Sequence, residues 1–201
     1  MADAAAGGEW HVAPVDSTVT AADRVALGFR IVPVKVIVIS GSMGSGKTTV
    51  LGEASDILTE HGAAHAVVDL DAIGTALLPD HAARQLSLRN LATVYRNFVA
   101  AGITRLLLAE AVVTRDDVEQ LQEAMSGAEL VVCRLTADLE TMQRRIRIRE
   151  PGIYQERFVD RSRTLHEALE AAKLEDFIVV NDGRAITDVA RDVLVRAGWI
   201  A

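Results

Sequence analysis

Eight consecutive residues, 41–48, carry the clearest chemical signal in the sequence. They read Gly-Ser-Met-Gly-Ser-Gly-Lys-Thr and match G-x-x-x-x-G-K-[ST] at every fixed position. Glycines admit backbone conformations closed to other residues, so successive N–H groups can point at one anion. The pattern predicts a loop that binds the phosphates of ATP, in which Lys47 reaches the β- and γ-phosphates and Thr48 ligates Mg²⁺. The predicted nucleotide-binding residues are Gly41, Ser42, Met43, Gly44, Ser45, Gly46, Lys47, Thr48 and Thr49.

Two carboxylates follow the next apolar run, in the order Asp69-Leu70-Asp71. Successive side chains alternate across a strand, so Asp69 and Asp71 are expected on the same side of it. Ligands of open α/β sheets bind beyond the carboxyl ends of the strands, which places both groups beside the phosphate loop. We therefore predict that Asp71 accepts a proton from a substrate hydroxyl or orients Mg²⁺-bound water, and that Asp69 contacts substrate. The alternative is that Asp71 only caps the following helix.

An arginine-rich stretch, 144–149, supplies the third candidate group. Arg145 and Arg149 are four residues apart and so share a helical face, whereas Arg144 projects elsewhere on the helix. Arginine forks stabilise the charge that spreads over a transferring phosphoryl group. We predict catalytic roles for Arg145 and Arg149 and a nucleotide contact for Arg144; a solvated basic face is the alternative. Further phosphate contacts are predicted beyond the Pro151-Gly152 break, at Arg157, Arg161 and Arg163.

Strands and helices that alternate along the chain must position these groups. The β-branched run 34–40 predicts a strand buried on both faces, and 46–60 predicts the helix after it. Further strands are predicted near 65–70, 103–109, 130–135 and 177–180, and helices over 84–101, 114–126, 137–149, 157–172 and 187–197. This order, together with the phosphate-loop motif, predicts an α/β, three-layer P-loop NTPase fold with a five-stranded parallel sheet. Residues 1–31 are predicted to be a partly ordered extension of one domain at 32–201.

Composition and charge exclude several classes of function. The 201 residues carry 21 Lys+Arg against 28 Asp+Glu, a net charge of −7, which argues against general nucleic-acid binding. The lone Cys133 permits no internal disulfide, and no apolar run approaches the roughly 18 residues of a membrane span. We expect a cytoplasmic monomer or homodimer that acts on a small molecule.

The phosphate loop and the Asp-x-Asp pair together resemble the small P-loop metabolite kinases. These include adenylylsulfate kinase, gluconate kinase, chloramphenicol phosphotransferase and the nucleoside monophosphate kinases. The resemblance covers about residues 34–199 and implies that Asp71 contacts the acceptor or serves as its base. It also implies an arginine-rich, mobile lid at about 145–165 that brings arginines to the phosphates, and an adenine site at the turn 181–184. After Asp71 the adenylylsulfate kinases continue with an Asn and an Arg, whereas this chain continues with Ala72-Ile73-Gly74.

The acceptor is expected between residues 72 and 98 and at the tip of the third strand. Arg89 and Asn90 are candidates for holding its anionic or hydroxyl groups, with Arg84 a weaker one and ordinary exposed polar residues the alternative. Glu110 is predicted to bind the acceptor or to position Mg²⁺ water, unless it is a buried carboxylate paired with an arginine. The leading hypothesis is an ATP-dependent kinase of a small-molecule hydroxyl. The alternatives are a nucleoside monophosphate kinase and a slow NTPase that acts as a regulatory switch.

Overall fold

Five parallel strands form the centre of the computed structural model, which describes residues 33–201; the extension predicted at 1–31 lies outside the described residues. The sheet order is β2-β3-β1-β4-β5, which confirms the predicted fold class. The strands are β1 (Lys35–Ser40), β2 (Ala66–Asp69), β3 (Arg105–Ala109), β4 (Glu129–Thr136) and β5 (Phe177–Val180). Because β1 is central, its carboxyl end lies between those of β3 and β4.

Seven helices connect the described strands and follow them. They are α1 (Lys47–Glu60), α2 (Leu70–Gly74), α3 (Asp80–Ala100), α4 (Arg115–Ala124), α5 (Leu139–Arg149), α6 (Gln155–Ala172) and α7 (Ile186–Arg196). None of the helices in the described part of the chain is long and apolar enough to cross a membrane.

The helices cover both faces of the sheet because strand side chains alternate between the faces. Ile37 and Ile39 of β1 belong to one buried cluster, to which α1 and α7 contribute. Val36 and Val38 belong to a second cluster, on the opposite face, to which α3 and α4 contribute. The central strand is therefore buried on both sides, as the continuous apolar run predicts, and it holds the start of the phosphate loop rigidly between two cores.

Two elements differ from the sequence predictions in a way that affects the site. The strand that was expected to run through Asp71 ends at Asp69, and the short helix α2 begins at Leu70. The long helix α3 begins at Asp80 rather than at Arg84, so Arg89 and Asn90 lie inside it and not in its first turns. Apolar periodicity did not reveal α2, because five residues are too few to show a helical repeat.

Candidate active site

The phosphate loop connects β1 to α1, as the motif predicts. Gly44 and Gly46 have positive φ angles of 81° and 100°, which side chains other than glycine rarely adopt. A Cβ atom on Gly44 would lie 2.4 Å from the backbone oxygen of Met142 in α5, so this position also has no room for a larger residue. Gly46 precedes α1 and offers no side-chain cap to its first N–H groups. These donors form an anion cradle at the positive end of the helix.

Lys47 lies over this loop. Its Nζ donates to the carbonyl oxygens of Gly41, at 2.8 Å, and Ser42, at 3.4 Å. Burial lowers the pKa of the Lys47 ammonium, and the carboxylates of Asp71 and Glu110 oppose that effect. The cation is therefore held close to the cradle by backbone acceptors and by nearby negative charge.

The loop is anchored to two distant segments. Ser42 Oγ donates to the carbonyl oxygen of Ser162 in α6 at 2.7 Å, and both serines are buried. Asn181, which follows β5, donates from Nδ2 to the Ser45 carbonyl oxygen at 2.8 Å. No pattern in the sequence indicated Ser162, and Asn181 was predicted only as part of an adenine turn. Both contacts join residues more than 100 positions apart, so no local pattern encodes them.

The Asp-x-Asp pair reaches the phosphate loop through Asp69. Thr48 Oγ1 donates to Asp69 Oδ2 at 2.8 Å, and Asp69 Oδ1 accepts from the Asp71 backbone N–H at 3.1 Å. Asp69 is therefore the N-cap of α2, and the capping role considered for Asp71 belongs to Asp69 instead. The prediction that both carboxylates alternate along one strand is wrong, because Asp71 lies in the first turn of a helix.

A cleft nevertheless joins Asp71 to the phosphate loop. The cleft brings together the predicted groups Lys47 and Thr48 of α1, Asp71 of α2 and Arg149 of α5. Its lining residues are Ser42, Met43, Gly44, Gly46, Lys47, Thr48, Thr49, Asp71 and Arg149.

The predicted arginines of α5 occupy three different environments. Arg145 donates to the carbonyl oxygens of Gly44, at 3.3 Å, and Asn181, at 2.8 Å, and so ties the phosphate loop to the turn after β5. Arg149 lines the cleft, is exposed and pairs with Glu150 at 2.9 Å. Arg144 is exposed and donates to Thr141 Oγ1 at 3.2 Å. The side chains of α6, Arg157, Arg161 and Arg163, are exposed.

Glu110 lies at the carboxyl end of β3 and pairs with Arg84. The distance from Arg84 Nη1 to Glu110 Oε1 is 3.1 Å, and 13% of the Glu110 side chain is exposed. Burial raises the pKa of Glu110 to about 7, although the Arg84 guanidinium acts to lower it. Arg84 also donates to Gln120 Oε1 at 3.2 Å and to Asp117 Oδ1 at 3.4 Å. Glu110 is therefore paired with an arginine, which was the alternative to a role in binding the acceptor or Mg²⁺ water. The charges of Lys47 and Asp71 also act on the Glu110 carboxylate.

The remaining acceptor candidates lie on α3. Asn90 donates from Nδ2 to the carbonyl oxygen of Ile73 at 2.7 Å and so fastens α2 to α3. Ser87 lies against α2 as well, since a Cβ on Gly74 would meet its hydroxyl. Arg89 is exposed, and the 100° step per helical residue places it on the face of α3 opposite Ser87. The structure does not bring Arg89 to the cleft.

An ion pair and a hydrogen bond to the backbone hold the predicted adenine turn, residues 181–184. Asp182 Oδ2 accepts from the backbone N–H of Asp138, the N-cap of α5, at 2.6 Å. Arg184 pairs with Asp192 of α7 at 3.0 Å.

Within residues 33–201, no group of three or more His, Cys, Asp and Glu side chains is placed to hold a metal ion. The Thr48 hydroxyl and the Asp69 carboxylate, which are 2.8 Å apart beside the phosphate loop, are oxygen groups that could contact a Mg²⁺ ion or its water ligands.

Solved structures of small-molecule kinases share this fold. A sugar kinase from Janibacter sp. is 22% identical, with a TM-score of 0.58, over 81% of this chain and 94% of its own. The Mycobacterium tuberculosis APS kinase in complex with AMPPNP and APS is 22% identical, with a TM-score of 0.61, over 81% and 96%. A gluconokinase from Sinorhizobium meliloti is 17% identical, with a TM-score of 0.53, over 84% and 94%.

The family is assigned from a match of the sequence to a family model. No curated protein matches the chain. The family model described as adenylylsulphate kinase matches residues 34–157, which include β1, the phosphate loop, the Asp-x-Asp pair and α5. The chain therefore belongs to the adenylylsulphate kinase family and is an ATP-dependent small-molecule kinase.

Proposed function

We propose that this chain transfers the γ-phosphoryl group of ATP to a hydroxyl group of a small-molecule acceptor, with Asp71 as the general base. The observation that carries the proposal is the cleft in which Asp71 faces Lys47 and Arg149. Lys47 binds the phosphates, Arg149 stabilises charge on the transferring group, and Asp71 takes the proton that the hydroxyl loses.

The phosphate loop suits a triphosphate and its metal ion. The uncapped N–H groups of α1 and the Lys47 ammonium supply the positive field for the phosphates. Thr48 would ligate Mg²⁺, and Asp69, which accepts from Thr48 Oγ1, would hold its water ligands. A bound Mg²⁺ neutralises charge that develops on the phosphate oxygens. Arg145 keeps the loop in place by bonding Gly44 and Asn181.

The contacts that Arg84 makes favour a hydroxyl acceptor over a phosphate acceptor. A nucleoside monophosphate acceptor needs an arginine for its phosphate; Arg89 does not line the cleft, which leaves Arg84, the weaker of the two predicted candidates. Its guanidinium is already engaged by Glu110, Asp117 and Gln120. A hydroxyl acceptor must lose a proton when it attacks the γ-phosphate, and a carboxylate such as Asp71 can accept that proton. A phosphate acceptor has no proton to lose and needs no such base.

We further propose that residues 145–165 close over the nucleotide as a lid. The turn between α5 and α6 is exposed at Ile153, with 92% relative exposure, and at Tyr154, with 55%. Exposed apolar side chains gain contacts when the segment that carries them closes over a site and excludes water. The buried contact between Ser42 and Ser162 gives this segment a fixed point near the loop.

The test is the variant Asp71→Asn, with Asp56→Asn as its control. Asp56 is exposed on α1 and does not line the cleft, so the control carries the same change of charge away from the site. A general base contributes about 10²–10⁴-fold, and Asp71→Asn should lower kcat by that factor with an unchanged melting temperature. Phosphate-to-phosphate transfer needs no base, and a loss that high Mg²⁺ restores would contradict the proposal.

A further inference from the structure

The peptide groups of the phosphate loop must be turned so that N–H groups, and not carbonyl oxygens, face the phosphates. In a trans peptide the carbonyl oxygen of one residue and the N–H group of the next point in opposite directions. The described part of the chain contains no cis peptide bond. A donor that holds a carbonyl oxygen of the loop therefore also orients the N–H group that follows it.

Two neighbouring carbonyl oxygens of the loop are held by side chains from other elements. Arg145 of α5 donates from Nη1 to Gly44 at 3.3 Å, and Asn181 donates from Nδ2 to Ser45 at 2.8 Å. Because the Ser45 carbonyl oxygen points at Asn181, the Gly46 N–H group points away from it. That N–H group directly precedes the first N–H groups of α1, which form the anion cradle.

Asn181 is buried, and its own backbone is fixed at both polar groups. Its N–H donates to the Thr136 carbonyl oxygen of β4 at 2.7 Å, and its carbonyl oxygen accepts from Arg145 Nη2 at 2.8 Å. The side chain also occupies the space beside Gly46, because a Cβ atom on Gly46 would lie 2.5 Å from Asn181 Nδ2. The amide is therefore held against the loop before any phosphate binds.

We propose that Asn181 is a positioning residue of the phosphate loop, which turns the Gly46 N–H group toward the phosphates of ATP and does not contact the adenine base. Asn181 belongs to the turn 181–184, which was predicted as the adenine site, so the proposal gives it a different part of the nucleotide. It goes beyond the proposed function, because it concerns ATP and holds for any acceptor. Without the Asn181 donor, the Ser45 carbonyl oxygen is left unpaired, and the peptide can rotate and present that oxygen to the phosphates.

The experiment compares a nucleotide with phosphates that carry no base. The probes are a non-hydrolysable ATP analogue and inorganic tripolyphosphate, each with Mg²⁺, and calorimetry measures both dissociation constants. Asn181→Ala and Asn181→Asp each remove the donor, the second with an almost unchanged shape. Asn97→Ala and Asn97→Asp are the matched controls, because Asn97 is exposed on α3. Nuclear magnetic resonance of the chain with isotope-labelled glycine follows the Gly46 amide group directly.

We expect Asn181→Ala to weaken binding of both probes about 10-fold or more, because hydrogen bonds to charged groups are the stronger ones. Asn181→Asp should weaken both further, since its carboxylate repels the phosphates. In the parent chain, either probe should shift the Gly46 amide proton downfield, as a hydrogen bond to an anion does, and Asn181→Ala should lose this shift. The Asn97 variants should match the parent chain in both measurements.

Three results would overturn the inference while leaving the proposed function standing. The first is weaker binding of the ATP analogue with unchanged binding of tripolyphosphate, which would assign Asn181 to the base. The second is unchanged binding of both probes by the Asn181 variants. The third is a Gly46 shift in Asn181→Ala equal to that of the parent chain; a purely structural role of Asn181 would give this result together with a lower melting temperature. A parent chain that binds neither probe would overturn the inference and the proposed function together.

Discussion

Replacing Glu110 by glutamine should make the chain more stable at alkaline pH and leave its stability at acid pH unchanged. Burial raises the pKa of this carboxyl to about 7 from its ordinary value of 4.5. The folded chain therefore binds the proton more tightly than the unfolded chain does. This stabilising contribution is fully present below pH 4.5 and is lost as pH rises through 7.

The size of the loss follows from the two pKa values. The difference between about 7 and 4.5 corresponds to roughly 3 kcal/mol at about 1.36 kcal/mol per pH unit. Glutamine resembles the protonated carboxyl and does not titrate. The variant should therefore exceed the parent in free energy of unfolding by less than about 1 kcal/mol near pH 5, and by up to about 3 kcal/mol near pH 8.5.

Urea denaturation between pH 5 and pH 8.5, followed by circular dichroism, measures the effect. The difference between variant and parent is the relevant quantity, because titration of other groups contributes to both chains. The groups whose charges act on Glu110 are Arg84 from α3, Asp71 from α2 and Lys47 from α1, and all three are unchanged in the variant. Glu119→Gln, the same substitution at an exposed position of α4, is the control for the loss of one carboxylate. A difference in Glu110→Gln that does not grow with pH would refute the reasoning.

Three further substitutions test the phosphate loop and α5. Lys47→Ala should abolish phosphoryl transfer and weaken binding of an ATP analogue, with an unchanged melting temperature. Near-full turnover at saturating MgATP would contradict the role of Lys47 in phosphate binding. Arg149→Ala should lower kcat about 10²-fold with less change in ATP affinity. Arg149→Lys should restore little of that kcat, because an ammonium cannot make the two-pronged contact of a guanidinium. Arg145→Ala should lower kcat as well, but also destabilise the fold by about 1–3 kcal/mol, since it leaves the Gly44 and Asn181 carbonyl oxygens without their donor. Equal melting temperatures for the two arginine variants would contradict that distinction.

The sequence alone determined the phosphate loop and the class of the fold. The motif at 41–48 is local: its glycines, Lys47 and Thr48 act within one turn and one helix start, and the structure places them as the pattern predicts. The alternation of apolar runs and helical repeats also predicted the five parallel strands, because burial on both faces of a sheet leaves a continuous apolar signature. The pairing of Arg145 and Arg149 on one helix followed from spacing in the same way.

Only the tertiary structure decided what each candidate side chain contacts. Asp69 rather than Asp71 bonds Thr48, because β2 ends one residue before α2 and Asp69 caps that helix. Arg145 bonds the phosphate loop, whereas Arg149 lines the cleft. Arg84 and Glu110 pair from segments 26 residues apart. Such contacts depend on how helices and strand ends meet in space, and periodicity in a sequence reports which face of an element is buried but not which neighbour it meets.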